Sequence, residues 1–113
     1  MSRQLDVAIA EALGDKVEYS LLEYPEGEDC DYWVDELNVR LPHYSTDGNA
    51  MLELDKEMRE RGWSIQITYI LPENKYEASY EGDYREVVAV ADTMQLAVSL
   101  AAYEALTEEE WEE

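Results

Sequence analysis

The chain has 113 residues, 46% of them hydrophobic, and sets 28 acidic against 8 basic residues for a formal net charge of −20. That length implies one domain able to bury a true core, and no stretch approaches the roughly 20 apolar residues of a membrane span. A field this negative repels nucleic acid, nucleotides and anionic membrane and attracts basic proteins, so no direct contact with nucleic acid or membrane is expected.

From the N-terminus, Leu5, Ala8, Ile9, Ala12 and Leu13 repeat at helical spacing over residues 4–13. They predict an amphipathic helix that Gly14 ends. Residues 15–41 are harder to read. Val17, Tyr19, Leu21 and Leu22 suggest a short extended piece. Residues 23–31, with Pro25 and Gly27, look turn-like. Tyr32 to Leu41 give a further extended segment before Pro42. Ser45, Thr46 and Asp47 are N-cap candidates for a helix carrying Ala50, Met51, Leu54 and Met58, stopped by Gly62.

After Gly62 the period changes to two. Trp63, Ile65, Ile67 and Tyr69 alternate with polar residues, which predicts a half-buried strand. A turn at 72–75 leads to Tyr76, Ala78 and Tyr80, and a turn at Gly82-Asp83 leads to Val87, Val88 and Val90. Three such strands form an antiparallel meander. A final helix runs from about Met94 to Leu106, capped by Asp92 with Gln95 or by Thr93. It is apolar on most sides and should be well buried. The expected class is α+β: an antiparallel three- or four-stranded sheet meander packed with three helices, in the order α-(β)-α-β-β-β-α. Residues 1–106 are expected to form the domain, and 107–113 an acidic tail that frays.

The run Pro42-His43-Tyr44-Ser45-Thr46-Asp47, the helix after it, and Arg61-Gly62-Trp63 opening a strand resemble the phage ABA sandwich domain. So does the close, where Asp92-Thr93-Met94 leads into a helix with Ala97, Ala101, Ala102 and Ala105. The resemblance spans roughly residues 1–106 and is densest over 42–63 and 85–106. It implies phage or prophage origin and a layered α/β fold. It carries over no catalytic residues, and the acidic stretch 23–36 and the acidic tail lie outside the family pattern.

Little in the chain points to catalysis. His43 and Cys30 each stand alone in their residue type, without a supporting motif. The bland account of the pair is a turn histidine and a loop thiol, and a lone cysteine closes no internal disulfide, which fits a cytoplasmic protein. The opening Met1-Ser2-Arg3-Gln4 has no signal-peptide core. Zinc-ligand spacing is absent. Asp29, Asp31 and Asp35 hint at a calcium loop, but the sixth position holds Val34 where a glycine is needed. The glycines are scattered, so no phosphate loop forms. The reading is a non-enzyme without cofactor or metal.

The acidic surface remains. Glu23, Glu26, Glu28, Asp29, Asp31, Asp35 and Glu36 follow one another with no base among them, and Glu77, Glu81 and Asp83 add to them on and after the second strand of the meander. Alternate strand residues repeat every ~6.6 Å, comparable to the step between phosphates, so carboxylates held this way can imitate a nucleic-acid backbone. Tyr24, Tyr32, Trp33, Tyr76 and Tyr80 would interleave as apolar anchors. These ten acids are the candidate partner-binding residues. The partner they suit is a basic nucleic-acid-binding host protein or complex, met in the host cytoplasm and inhibited by DNA or RNA mimicry, as in a CRISPR or restriction assembly. The alternatives are a sequestering protein for a small signalling nucleotide, using Arg40, Arg59, Arg61 or Arg85, an acidic accessory protein with no inhibitory role, and salt adaptation. A homodimer is compatible with the sequence if its interface is apolar enough to outweigh the repulsion.

Overall fold

A computed structural model describes residues 3–24, 27–34, 39–109 and 111. The chain runs α1 (Arg3–Ala12), β1 (Glu18–Tyr24), β2 (Gly27–Val34), β3 (Val39–Arg40), α2 (Gly48–Glu60), β4 (Ser64–Ile70), β5 (Lys75–Glu81), β6 (Glu86–Ala91) and α3 (Met94–Thr107). It is an α+β fold with the meander β4-β5-β6 expected from the change of period. The difficult region is itself a sheet, ordered β1-β2-β3 and antiparallel throughout.

That sheet corrects the turn-like reading of residues 23–31. Glu23 and Tyr24 belong to β1, and Gly27 to Asp31 to β2. Acidic residues are depleted in strands, but the preference is weak and yields to cross-strand pairing. Here pairing runs without a break from Glu18↔Trp33 to Tyr24↔Gly27.

Local chemistry sets the helix ends. At α1, Gly14 takes φ +101, Gly14 N–H reaches the Glu11 carbonyl at 3.0 Å, and Asp15 N–H reaches Ala10 at 2.9 Å. The same double closure ends α2: Gly62 takes φ +92, its N–H meets Arg59 at 3.1 Å, and Trp63 N–H meets Met58 at 3.0 Å. This Schellman geometry needs a left-handed residue, which glycine supplies without strain. Of the three N-cap candidates for α2, Asp47 serves, its Oδ1 accepting from Asn49 N–H at 3.1 Å. Thr93 caps α3, Oγ1 accepting from Leu96 N–H at 3.2 Å. Asp92 instead pairs with Lys75 at 2.6 Å.

The core forms where α3 meets β5, β6, α1 and α2. Ala97, Val98, Ala101 and Ala102 are fully buried, and the helix packs on β5, β6, α1 and α2. Leu5 and Ile9 of α1, and Leu54 and Met58 of α2, complete the centre. Asp6, also buried, accepts the Ser45 N–H at 3.0 Å and ties the loop before α2 to α1. Trp111 returns to the body and stacks edge-on against Tyr103, centroids 5.1 Å apart. One face differs from expectation. The apolar phase of β4 is only partly covered: Ile65 is half-buried, while Ile67 and Tyr69 are exposed. β4 is an edge strand, and α3 lies over its neighbours β5 and β6.

Truncating the centre should cost far more than truncating a cap. Leu54→Ala is expected to lower unfolding free energy by about 2–5 kcal/mol, and Asp47→Ala or Thr93→Ala by about 1 kcal/mol each. Urea unfolding of the three variants, at unchanged m-value, measures both.

Candidate functional site

The acids singled out in the sequence fall in two places. Glu23, Glu28, Asp29 and Asp31 lie in the β1–β2 hairpin, where Glu23 pairs directly with Glu28, Leu22 with Asp29, and Ser20 with Asp31. Glu26, Asp35 and Glu36 lie outside the described residues.

The second group is on the meander. Glu77 and Glu81 share the face of β5 that points away from α3. They are four residues apart, hence about 13 Å, with Ser79 between them. Glu86 of β6, which the sequence reading passed over, stands directly across from Glu81, at roughly 5 Å between Cβ atoms. The tight turn joining the strands, closed by Gly82 N–H to the Arg85 carbonyl at 2.8 Å, predicts that pairing and was its signal. Asp83 projects from this turn and is exposed. Glu77, Glu81, Asp83 and Glu86 have no ion-pair partner among the described residues, unlike Asp55 with Arg59 at 3.1 Å and Glu108 with Arg85 at 3.4 Å.

Two of the expected aromatic anchors are elsewhere. Tyr80 and Tyr76 occupy the opposite phase of β5 from Glu77 and Glu81, toward the helices. Tyr80 is completely buried, donating its hydroxyl to Asp55 Oδ1 at 3.1 Å. Tyr76 is half-buried against Tyr69, with ring centroids 5.0 Å apart. A period of two separates the faces of a strand but does not say which one the helices cover. The apolar residues that do lie among the carboxylates are Val88, opposite Ser79, and Val90, opposite Glu77, both exposed. Tyr24, Tyr32 and Trp33 are placed only by the hairpin register, at Gly27, Tyr19 and Glu18.

Three of the four candidate arginines are committed, and the side chain of Arg40 lies outside the described ones. Arg61 donates to the Leu13 carbonyl at 2.9 Å, at the end of α1. Arg85 donates to the Glu104 carbonyl at 2.9 Å, near the end of α3, and lies 5.9 Å from the centre of the Trp63 ring. Both border a cleft of about 290 Å³, but Asp83 and Glu108 border it too, so its charges balance. Arg59 is held by Asp55. His43 is exposed, its carbonyl receiving the Thr46 and Asp47 N–H groups at 3.1 and 2.8 Å. Among the described residues, no group of three or more His, Cys, Asp or Glu is arranged to hold a metal ion. No helix among them is long and apolar enough to cross a membrane.

The fold is similar to that of a solved phage protein from Bacillus cereus ATCC 14579, with a TM-score of 0.69 over 99% of this chain and 93% of that one, at 15% sequence identity. No family model matches the sequence, and no curated protein matches it. The likeness to the Bacillus protein is therefore one of fold.

Two phenols give a pH test of this architecture. Burial, reinforced by the charge and hydrogen bond of Asp55, pushes the Tyr80 hydroxyl well above the usual phenol range, and Arg59 opposes it weakly. Burial first, then Asp15, Glu53, Asp6 and Glu57, pushes Tyr44 up to about 12. Above pH about 10 the unfolded chain ionises these phenols while the folded chain keeps their protons. The unfolded state then binds fewer protons, and stability falls as pH rises. Their contribution is intact below pH 10 and is lost progressively above it. Tyr80→Phe should cost about 1 kcal/mol at pH 8 through the lost hydrogen bond and flatten the decline above pH 10. Guanidinium unfolding from pH 8 to 11 reads both effects.

Proposed function

We propose that this chain is a phage-encoded protein of the ABA sandwich kind. It acts in the host cytoplasm as an inhibitor of a nucleic-acid-binding defence complex, by occupancy and not by catalysis. Its carboxylates meet the Lys and Arg residues that otherwise hold phosphates. The observation that carries this reading is the net charge of −20 together with the row of Glu77, Glu81 and Glu86, without an ion-pair partner among the described residues, on the sheet face that points away from α3. Carboxylates fixed on strands are preorganised, so a basic partner does not have to order them on binding. Val88 and Val90 between them supply apolar area, which gives a complex lifetime that charge alone does not. The fold shared with a phage protein supports the phage setting. The hairpin acids Glu23, Glu28, Asp29 and Asp31 add field strength from a second strand pair.

The test is affinity capture from host lysate with a rising salt gradient, followed by competition with nucleic acid. One DNA- or RNA-binding complex should elute at a defined salt step and be displaced by nucleic acid. The variant Glu23→Gln, Glu28→Gln, Asp29→Asn, Asp31→Asn and the variant Glu77→Gln, Glu81→Gln, Glu86→Gln should each bind it about tenfold or more weakly, restoring the complex's own nucleic-acid binding. Assorted basic proteins washing off early, or variants that inhibit as well as the parent, would mean that the charge serves solubility.

A further inference from the structure

Residues just past α1 and along one face of α2 line a cleft of about 340 Å³: Leu13, Asp15, Tyr44, Glu53, Lys56 and Glu57. The fold sets each wall. Glu53, Lys56 and Glu57 stand at i, i+3 and i+4 on α2, so they share one side of that helix. Asp15 is placed by the closure of α1, where its N–H meets the Ala10 carbonyl at 2.9 Å. The Arg61 bond to the Leu13 carbonyl ties the ends of the two helices together. Tyr44 is held from both sides, by the turn at the His43 carbonyl and by the Ser45 N–H bond to Asp6.

Two observations set this cleft apart from the rest of the acidic surface. Tyr44 is only 6% exposed, yet among the described residues its hydroxyl has no hydrogen-bond partner. Buried polar groups are normally satisfied, as the Tyr80 hydroxyl is by Asp55. After burial itself, Asp15 and Glu53 act most strongly on the Tyr44 hydroxyl, followed by Asp6 and Glu57. Three of those four line the cleft, so the unmet hydroxyl faces the cleft's own carboxylates. The second observation is charge. Three carboxylates against the one amine of Lys56 leave an excess of two negative charges, and none of the four groups forms an ion pair among the described residues.

The same arrangement says what kind of cation fits. These carboxylates do not converge as metal ligands, so a compact ion finds no coordination shell here. Glu53 and Glu57 are about 6 Å apart along the axis of α2. A cation whose charges sit at the ends of a flexible chain meets both, with its methylenes lying on Leu13 and the Tyr44 ring. An ammonium N–H also gives the phenol oxygen the donor it lacks.

We propose that this cleft binds an aliphatic diamine or polyamine, its ammonium groups at Asp15, Glu53 and Glu57 and one N–H donated to the Tyr44 hydroxyl oxygen. The site uses none of the acids assigned to the basic partner, so it stands or falls apart from that reading.

Calorimetric titration of the full chain with putrescine and with spermidine, at physiological ionic strength, tests it. One saturable equivalent is expected, and magnesium chloride at equal ionic strength should not displace it. Tyr44→Phe should weaken binding about tenfold without lowering the urea midpoint, because the hydroxyl it removes has no partner in the fold. Glu53→Gln with Glu57→Gln should weaken binding about tenfold or more, whereas Glu77→Gln, Glu81→Gln, Glu86→Gln should leave it unchanged. The absence of saturable binding overturns the proposal. So do several equivalents that the cleft variants leave intact, displacement by magnesium, or a site indifferent to Tyr44→Phe.

Discussion

The close approach of α3 to its neighbours is the constraint from which the rest of the described structure follows. Ala97, Ala101, Ala102 and Ala105 bring the helix backbone near β5, β6, α1 and α2 together. Small side chains make dense contact possible from several directions, and interiors tolerate few voids. The larger groups of the other elements then fill the remaining space: Leu5 and Ile9 from α1, Leu54 and Met58 from α2, Tyr80 from β5. Tyr80 is the most demanding of these, because a buried phenol needs a polar partner. Asp55 provides it and is balanced in turn by Arg59.

The same constraint accounts for what is left uncovered. α3 lies over β5 and β6, so on the helix side of the edge strand β4 only Ile65 is half-buried, and among the described residues no helix lies on the far face of the meander. Both exposed apolar surfaces are consequences of one helix covering two strands of three. They differ in charge because β4 has no charged residue, while β5 and β6 carry Glu77, Glu81 and Glu86 on the side away from α3.

Most of the fold was legible in the sequence because its elements announce themselves by period. The 3.6-residue stripe of α2, the alternation of β5 and the glycines at 14 and 62 are local signals with local causes. The hairpin was not legible. Glu28-Asp29-Cys30-Asp31 has neither alternation nor β-propensity, and its strand character comes from cross-strand pairing with Ser20 to Glu23, which its own residue types do not reveal. The candidate site was legible in part. The position of Glu77 and Glu81 on one strand face follows from spacing, but Tyr80 shows the limit: alternation divides residues between two faces and is silent on which one is buried. Glu86 needed the register across the Gly82–Arg85 turn, a fact about pairing and not about composition.

The placement of Val88 and Val90 among carboxylates also bears on colloidal behaviour. At neutral pH the surrounding Glu77, Glu81 and Glu86 keep two molecules from meeting through those valines. As pH falls toward the isoelectric point near 4.1, the net charge of the molecule vanishes and with it the barrier between particles. The same face then becomes an unguarded β-surface, with an uncharged edge strand on one side of it. Acid should therefore drive this protein out of solution while its fold is still largely intact, with the ordered sheet as the sticking surface.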